Sequence, residues 1–227
     1  MEDLSEIALF QDLPADASRR YAAACTWREF NENELVIDIE DETTDVRFVL
    51  SGHVRIISRM ATGKEVILGE MGAGSYFGEF AAIDNAPRSA NVTTLVRSRL
   101  CTMPSATFLQ ILGEHPGVAI KVMRQFSFLV RQLNLRLAEH SFLSAKHRLY
   151  NELIRLSRPR SGHENQRIIS PPPTQREIAE RIGSRREVVS RELNALKREG
   201  LIEVAKGGIV IAGVGELQRR VSEGWEG

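Results

Sequence analysis

The spacing of apolar and polar positions changes several times along the chain. Residues 4–24 hold apolar clusters broken by Pro14, which predicts short helices with Asp16 as a cap. From Trp27 the pattern shortens to alternating runs at residues 35–39, 46–50, 54–57, 66–68, 89–95 and 99–103. Turn signals separate them: Asp41-Glu42-Thr43-Thr44, Ser51-Gly52, Thr62-Gly63-Lys64 and Met71-Gly72-Ala73-Gly74. Short strands at this spacing predict an antiparallel β-roll. A short helix over 105–113 follows, closed by Gly113, and Pro116 suits the first position of the next.

After Gly117 no glycine or proline interrupts the chain until beyond Leu143, which predicts one long helix. Val122, Phe126, Leu129, Leu133 and Leu137 are spaced close to a coiled-coil seam. Phe128, Leu135 and Phe142 form a second set placed to pack back on the roll. Two stripes on one helix suggest that it serves its own domain and a second copy, a homodimer. The competing reading is one long helix buried within a monomer. Residues 145–157 continue helically, and 158–173 read as a polar, proline-rich loop with a short strand at Ile168-Ile169.

From Thr174 two short amphipathic helices follow. Thr174-Gln-Arg-Glu177 and Ser184-Arg-Arg-Glu187 each have the form of a capping box. The first opens a helix with Ile178 and Ile182 on one face, the second a helix with Val188, Val189, Leu193 and Leu196 inside. Gly183 supplies the tight turn, so the pair reads as a helix-turn-helix. Residues 200–213 then read as a hairpin turning at Gly207-Gly208, the wing of a winged helix. The expected fold is α+β in three parts: a β-roll over 1–115, a helix and hinge over 116–144, and a winged helix-turn-helix over 145–227.

Composition adds one asymmetry. The chain has 227 residues and formal net charge +0, with 30 basic and 30 acidic side chains. Residues 1–144 carry 14 Lys+Arg against 19 Asp+Glu, and 145–227 carry 16 against 11. An acidic first part and a basic second part predict that only the second meets a polyanion. Cys25 and Cys101 share no ligand-like spacing, so no metal is expected and a reducing compartment is. With no signal-peptide pattern and no membrane-length apolar run, the expected location is cytoplasmic. The five histidines (His53, His115, His140, His147, His163) lie scattered, without a nucleophile at a meaningful spacing, and nothing supports an enzyme.

The stretch Phe77 to Val92, FGEFAAIDNAPRSANV, concentrates the chemistry. Gly78 permits close backbone approach, and Glu79 is an acceptor suited to a sugar hydroxyl. Phe80 and Ala81 lie in a short helical turn whose amides can donate to an anion. Arg88 matches a phosphate with its planar fork, and Ser89 adds a donor. This stretch resembles the phosphate-binding cassette of cyclic-nucleotide-binding domains. The resemblance places the ribose on Glu79 and the cyclic phosphate on Arg88 and Ser89, with base contacts from the long helix near Asn134. It implies cyclic AMP as the allosteric ligand, with cyclic GMP as competitor. A roll turn holding only an Arg–Glu ion pair is the plainer alternative.

The second helix of the pair, within SRREVVSRELNALKREGLI, is similar to the recognition helix of the Crp/Fnr family of transcription regulators. The resemblance puts base reading on Arg186, Glu187 and Arg191. Arg pairs with guanine and Glu accepts from cytosine, which fits independently. Arg185 and Ser190 lie on the same side, and Lys206 at the wing tip suits a phosphate. Val188 departs from the resemblance, which has threonine there. The family implies a homodimer on a two-fold DNA operator, with RNA polymerase as partner and a hinge near 141–145. A relative responding to haem or redox state, or to no ligand, remains the alternative.

Overall fold

A computed structural model describes residues 3–59, 65–205 and 207–226. The chain divides into two compact units, Met1–Leu129 and Val130–Gly227.

The first unit opens with single 3₁₀ turns at Leu4–Glu6 and Ala8–Phe10, then α1 over Ala15–Ala22. Asp3 caps the first turn by accepting from the Ser5 amide. Asp16 does not cap α1. Pro14 occupies the N-cap and its carbonyl accepts from the Ser18 amide, so Asp16 falls in the first turn, where its charge favours the helix dipole.

Eight strands follow: β1 (Thr26–Phe30), β2 (Leu35–Ile37), β3 (Val46–Ser51), β4 (His53–Arg59), β5 (Glu65–Gly72), β6 (Tyr76–Phe77), β7 (Asn91–Thr94) and β8 (Ser98–Met103). They form two antiparallel sheets, ordered β1-β8-β3-β6 and β2-β7-β4-β5. Alternation along β3 explains the layering. Val49 joins Phe30, Ile37, Val54, Phe77, Val92 and Leu100 in a core drawn from both sheets. Val46 and Phe48 face the other way, onto the helical side with Phe10, Cys101, Met103, Phe108 and Ile111. The predicted turn at Thr62-Gly63-Lys64 lies outside the described residues. Strands β1 and β6 have no clean alternation in sequence, because β1 is mostly solvent-facing and β6 is two residues long.

Helices α2 (Glu79–Asp84) and α3 (Ser105–Glu114) lead to α4 (Pro116–Phe142), whose start belongs to the first unit. Val118 and Val122 are buried in the helical-side core and Phe126 packs on it. The residues of the second stripe, Phe128, Leu135 and Phe142, are exposed, as are Leu133 and Leu137. The residues of α4 that reach the roll's core fall at i, i+4 and i+8, so Phe128, two positions past Phe126, is rotated out of that face.

In the second unit α4 ends at Phe142, and Ser144 caps α5 (Ala145–Leu156) by accepting from the His147 amide. Strands β9 (Arg158–Pro159) and β10 (Arg167–Ile169) precede α6 (Gln175–Ile182) and α7 (Arg186–Arg198). Strands β11 (Ile202–Ala205) and β12 (Gly208–Ile211) complete a sheet ordered β11-β12-β10-β9. A terminal helix, α8 (Val214–Glu226), was not expected; it buries Leu217 and Val221 in a core with Leu149, Leu153, Ile178, Val189 and Leu196. An ionic cluster joins the end of α4 to α5 and α6. Arg155 donates to buried Glu139 at 2.6 Å and to buried Glu152, Asn151 donates to Glu139 at 2.8 Å, and Arg181 lies 3.9 Å from Glu152.

Candidate nucleotide pocket and nucleic-acid interface

The cassette begins where β6 ends. Gly78 is the N-cap of α2 with φ +85, a conformation that favours glycine. A Cβ there would meet Arg88 Nη1 at 2.7 Å and the Asp45 carbonyl at 2.8 Å, so the small residue lets the arginine lie against the backbone. Arg88 is 5% exposed. It donates from Nη1 to the Gly78 carbonyl and from Nη2 to Thr43 Oγ1 and the Asp45 carbonyl, each at 3.0 Å. Arg88 therefore ties the start of α2 to the β2–β3 connection. Three of its five N–H donors are used this way, and its buried Nε has no partner.

Glu79 opens α2 from the next position. Burial pushes its carboxyl up to about 7, against the opposing pull of its own backbone amide and of Arg88. No hydrogen bond or ion pair joins Glu79 to Arg88 among the described residues, so the plainer reading of a simple ion pair is not what the geometry presents. Tyr76 stands nearby, its hydroxyl buried without a partner and raised to about 12 by burial and by Glu79. Ala81 is buried, Ser89 is exposed, and Phe80, 39% exposed, meets Phe126 of α4 with ring centroids 5.5 Å apart. Asn134, in the second unit, is exposed on α4.

Sequence reasoning missed Thr43 and Asp45, which hold Arg88 through a hydroxyl and a carbonyl, and backbone acceptors leave no trace in side-chain pattern. It also missed the Phe80–Phe126 contact, whose partners lie too far apart in sequence for periodicity to link.

In the second unit the Thr174 capping box is complete in both directions. The Ser184 box does not form. The Ser184 amide instead donates to the Ala179 carbonyl to close the end of α6, and α7 starts two residues later with Arg185 at its N-cap and no side-chain cap. Gly183 makes the turn between them at φ +58. Arg185, Arg186, Glu187 and Arg191 are exposed along the start of α7, and Ser190 is half-buried. Arg185 and Arg186 form no ion pair among the described residues, and Arg191 makes one with neighbouring Glu192 at 3.4 Å. These cations are available to an anionic partner. Lys206 lies outside the described residues.

Comparison with known proteins matches residues 27–115 to the cyclic nucleotide-binding domain and 147–220 to the Crp-like helix-turn-helix domain. A CRP-like cAMP-activated global transcriptional regulator of Mycobacterium tuberculosis is 24% identical over 220 residues, covering 96% of this chain and 98% of that protein. Among solved structures, the c-di-GMP responsive regulator CLP of Xanthomonas campestris superposes with a TM-score of 0.76 at 22% identity, covering 88% of this chain and 100% of that one. CprK complexed with OCPA gives 0.71 at 21%, covering 89% and 92%. Relatives on one fold thus differ in the ligand they name. With a cyclic-nucleotide-binding domain followed by a Crp-like helix-turn-helix, the chain belongs to the Crp/Fnr family and is a ligand-responsive, DNA-binding transcription regulator rather than an enzyme.

Proposed function

We propose that the chain is a cyclic-nucleotide-dependent regulator: cyclic AMP, with cyclic GMP as competitor, binds the roll and enables a homodimer to bind a two-fold DNA operator. The observation that carries this reading is Arg88, a buried guanidinium cradled at Gly78 with donors still unspent, one position before Ser89 and nine after Glu79. A buried cation with free donors favours an anion, and the neighbouring Glu79 offers a sugar-hydroxyl acceptor. Asn134 is assigned to the base, and Gly78, Phe80 and Ala81 to the backbone around the phosphate.

Exposed apolar side chains along α4, including Val130, Leu133 and Leu137, support pairing with a second copy through that helix. Arg185, Arg186, Glu187, Ser190 and Arg191 would read DNA, with Lys206 on a phosphate, and RNA polymerase is the further partner. Functionally the chain divides into the roll over 1–115, the dimerisation helix over 116–144 and the DNA-binding domain over 145–227. The test is calorimetric titration with cyclic AMP and cyclic GMP side by side. Binding of one, lost by about 2–5 kcal/mol in Arg88→Ala, is expected; unchanged affinity in that variant refutes the cassette assignment.

A further inference from the structure

Beside Arg88 stands a second arginine that the cassette pattern does not contain. Arg47 is the second residue of β3, paired directly with Phe77 of β6, the residue before Gly78. Alternation puts Arg47 on the same face as Val49 and Phe77, the inner face of the roll, while Val46 and Phe48 face the helices. Arg88 bonds to the backbone at Gly78 and at Asp45, one residue past Phe77 and two before Arg47. The two guanidiniums therefore occupy the same end of the roll.

Arg47 is half-buried, and its Nε is buried without a partner. Among the described residues its side chain forms no hydrogen bond and no ion pair. The charged groups around it are Asp45, Asp41, Arg28 and Arg88. Neither carboxylate makes a hydrogen bond or ion pair with the Arg47 side chain among the described residues, and the neighbouring cations Arg28 and Arg88 repel it. Burial lowers the Arg47 pKa, with Asp45 and Asp41 only partly offsetting it. A half-buried guanidinium whose Nε has no partner in the protein is a group that an incoming anion can satisfy.

Resting on the nucleotide reading of this site, we propose that Arg47 is a second phosphate-binding residue, which grips the ligand's phosphodiester from the strand side while Arg88 holds it from the cassette. The two cations together set the site's preference for an anionic ligand. Arg88 has spent three donors on its own scaffold, so Arg47 supplies most of the free N–H groups available to the phosphate.

The test uses the full chain with Arg47→Gln and Arg47→Lys. Ligands are a cyclic mononucleotide (cyclic AMP or cyclic GMP) and a cyclic dinucleotide (cyclic di-GMP), which separate the two sources of a phosphodiester. Against whichever the wild type binds, Arg47→Gln is expected to lose tenfold or more, Arg47→Lys to recover part, and the salt dependence of binding to weaken. The ligand-free Arg47→Gln protein is expected to melt at the same temperature or higher. Wild-type affinity in Arg47→Gln, or a ligand-free melting point lowered by several degrees, overturns the inference while leaving the nucleotide reading intact. Failure of the wild type to bind any of the three removes the nucleotide reading and this inference together.

Discussion

At the scale of single residues, the pocket depends on two positions with different physics. Gly78 sits at positive φ with its missing Cβ facing Arg88 and a carbonyl. Gly78→Ala is expected to cost about 1–3 kcal/mol of stability, because the backbone is strained and the Asp45 carbonyl cannot swing aside. Chemical denaturation measures it, and nucleotide affinity should fall with it. Glu79 gives a pH signature. Its carboxyl is raised from 4.5 to about 7 in the folded chain. The folded state therefore holds a proton that the unfolded state has released across that window. Stability from this group is present below 4.5 and declines as pH rises to about 7. Denaturation curves of wild type and Glu79→Gln between these limits should diverge, the variant gaining relative stability as pH rises. Parallel curves would show that the carboxyl is not perturbed.

At the scale of elements, α6 and the cluster behind it carry the expected effects. Thr174→Ala removes one half of a formed capping box and should cost about 1 kcal/mol. Ser184→Ala should cost little, since no side-chain cap exists at α7. The contrast between these two variants, read by thermal melting, checks the corrected start of α7. Glu152 is 1% exposed and faces Arg155 and Arg181. Glu152→Ala removes one of the two carboxylates on Arg155 and the one 3.9 Å from Arg181, and should destabilise by up to about 3–5 kcal/mol. A loss below 1 kcal/mol would mean that Glu139 alone satisfies Arg155.

At the scale of the whole molecule, regulation is a coupling between ligand and DNA. Ligand can raise DNA affinity only by favouring one arrangement of the dimer, with a coupling of about 1–3 kcal/mol. Reciprocity makes this measurable: operator DNA must tighten nucleotide binding by the same factor, and equal affinity with and without operator refutes the coupling. Arg186→Ala and Arg191→Ala should each weaken operator binding by about 1–3 kcal/mol and relax specificity, whereas a loss shared equally by random DNA would remove their base-reading role.

Much of this was legible in the amino-acid order, because local physics writes periodic signals. Strand alternation, the uninterrupted run of α4, the Thr174 box and the glycine turns are all set by neighbours a few residues apart. The stretch proposed as the cassette stands out for the same reason, its polar groups being crowded into sixteen consecutive positions. What tertiary structure decided involves partners far apart in the chain. Arg88 is held by Thr43 and Asp45, Phe80 meets Phe126, and Arg47 stands beside the cassette only because β3 pairs with β6. The face of α4 that packs was also settled there, since two apolar stripes look alike in sequence until the roll selects Val118, Val122 and Phe126. Likewise Ser184 could have capped α7, but its amide closes α6 and the helix starts later. Local propensity names the candidates, and competition for the same hydrogen-bonding groups and the same buried surface chooses among them.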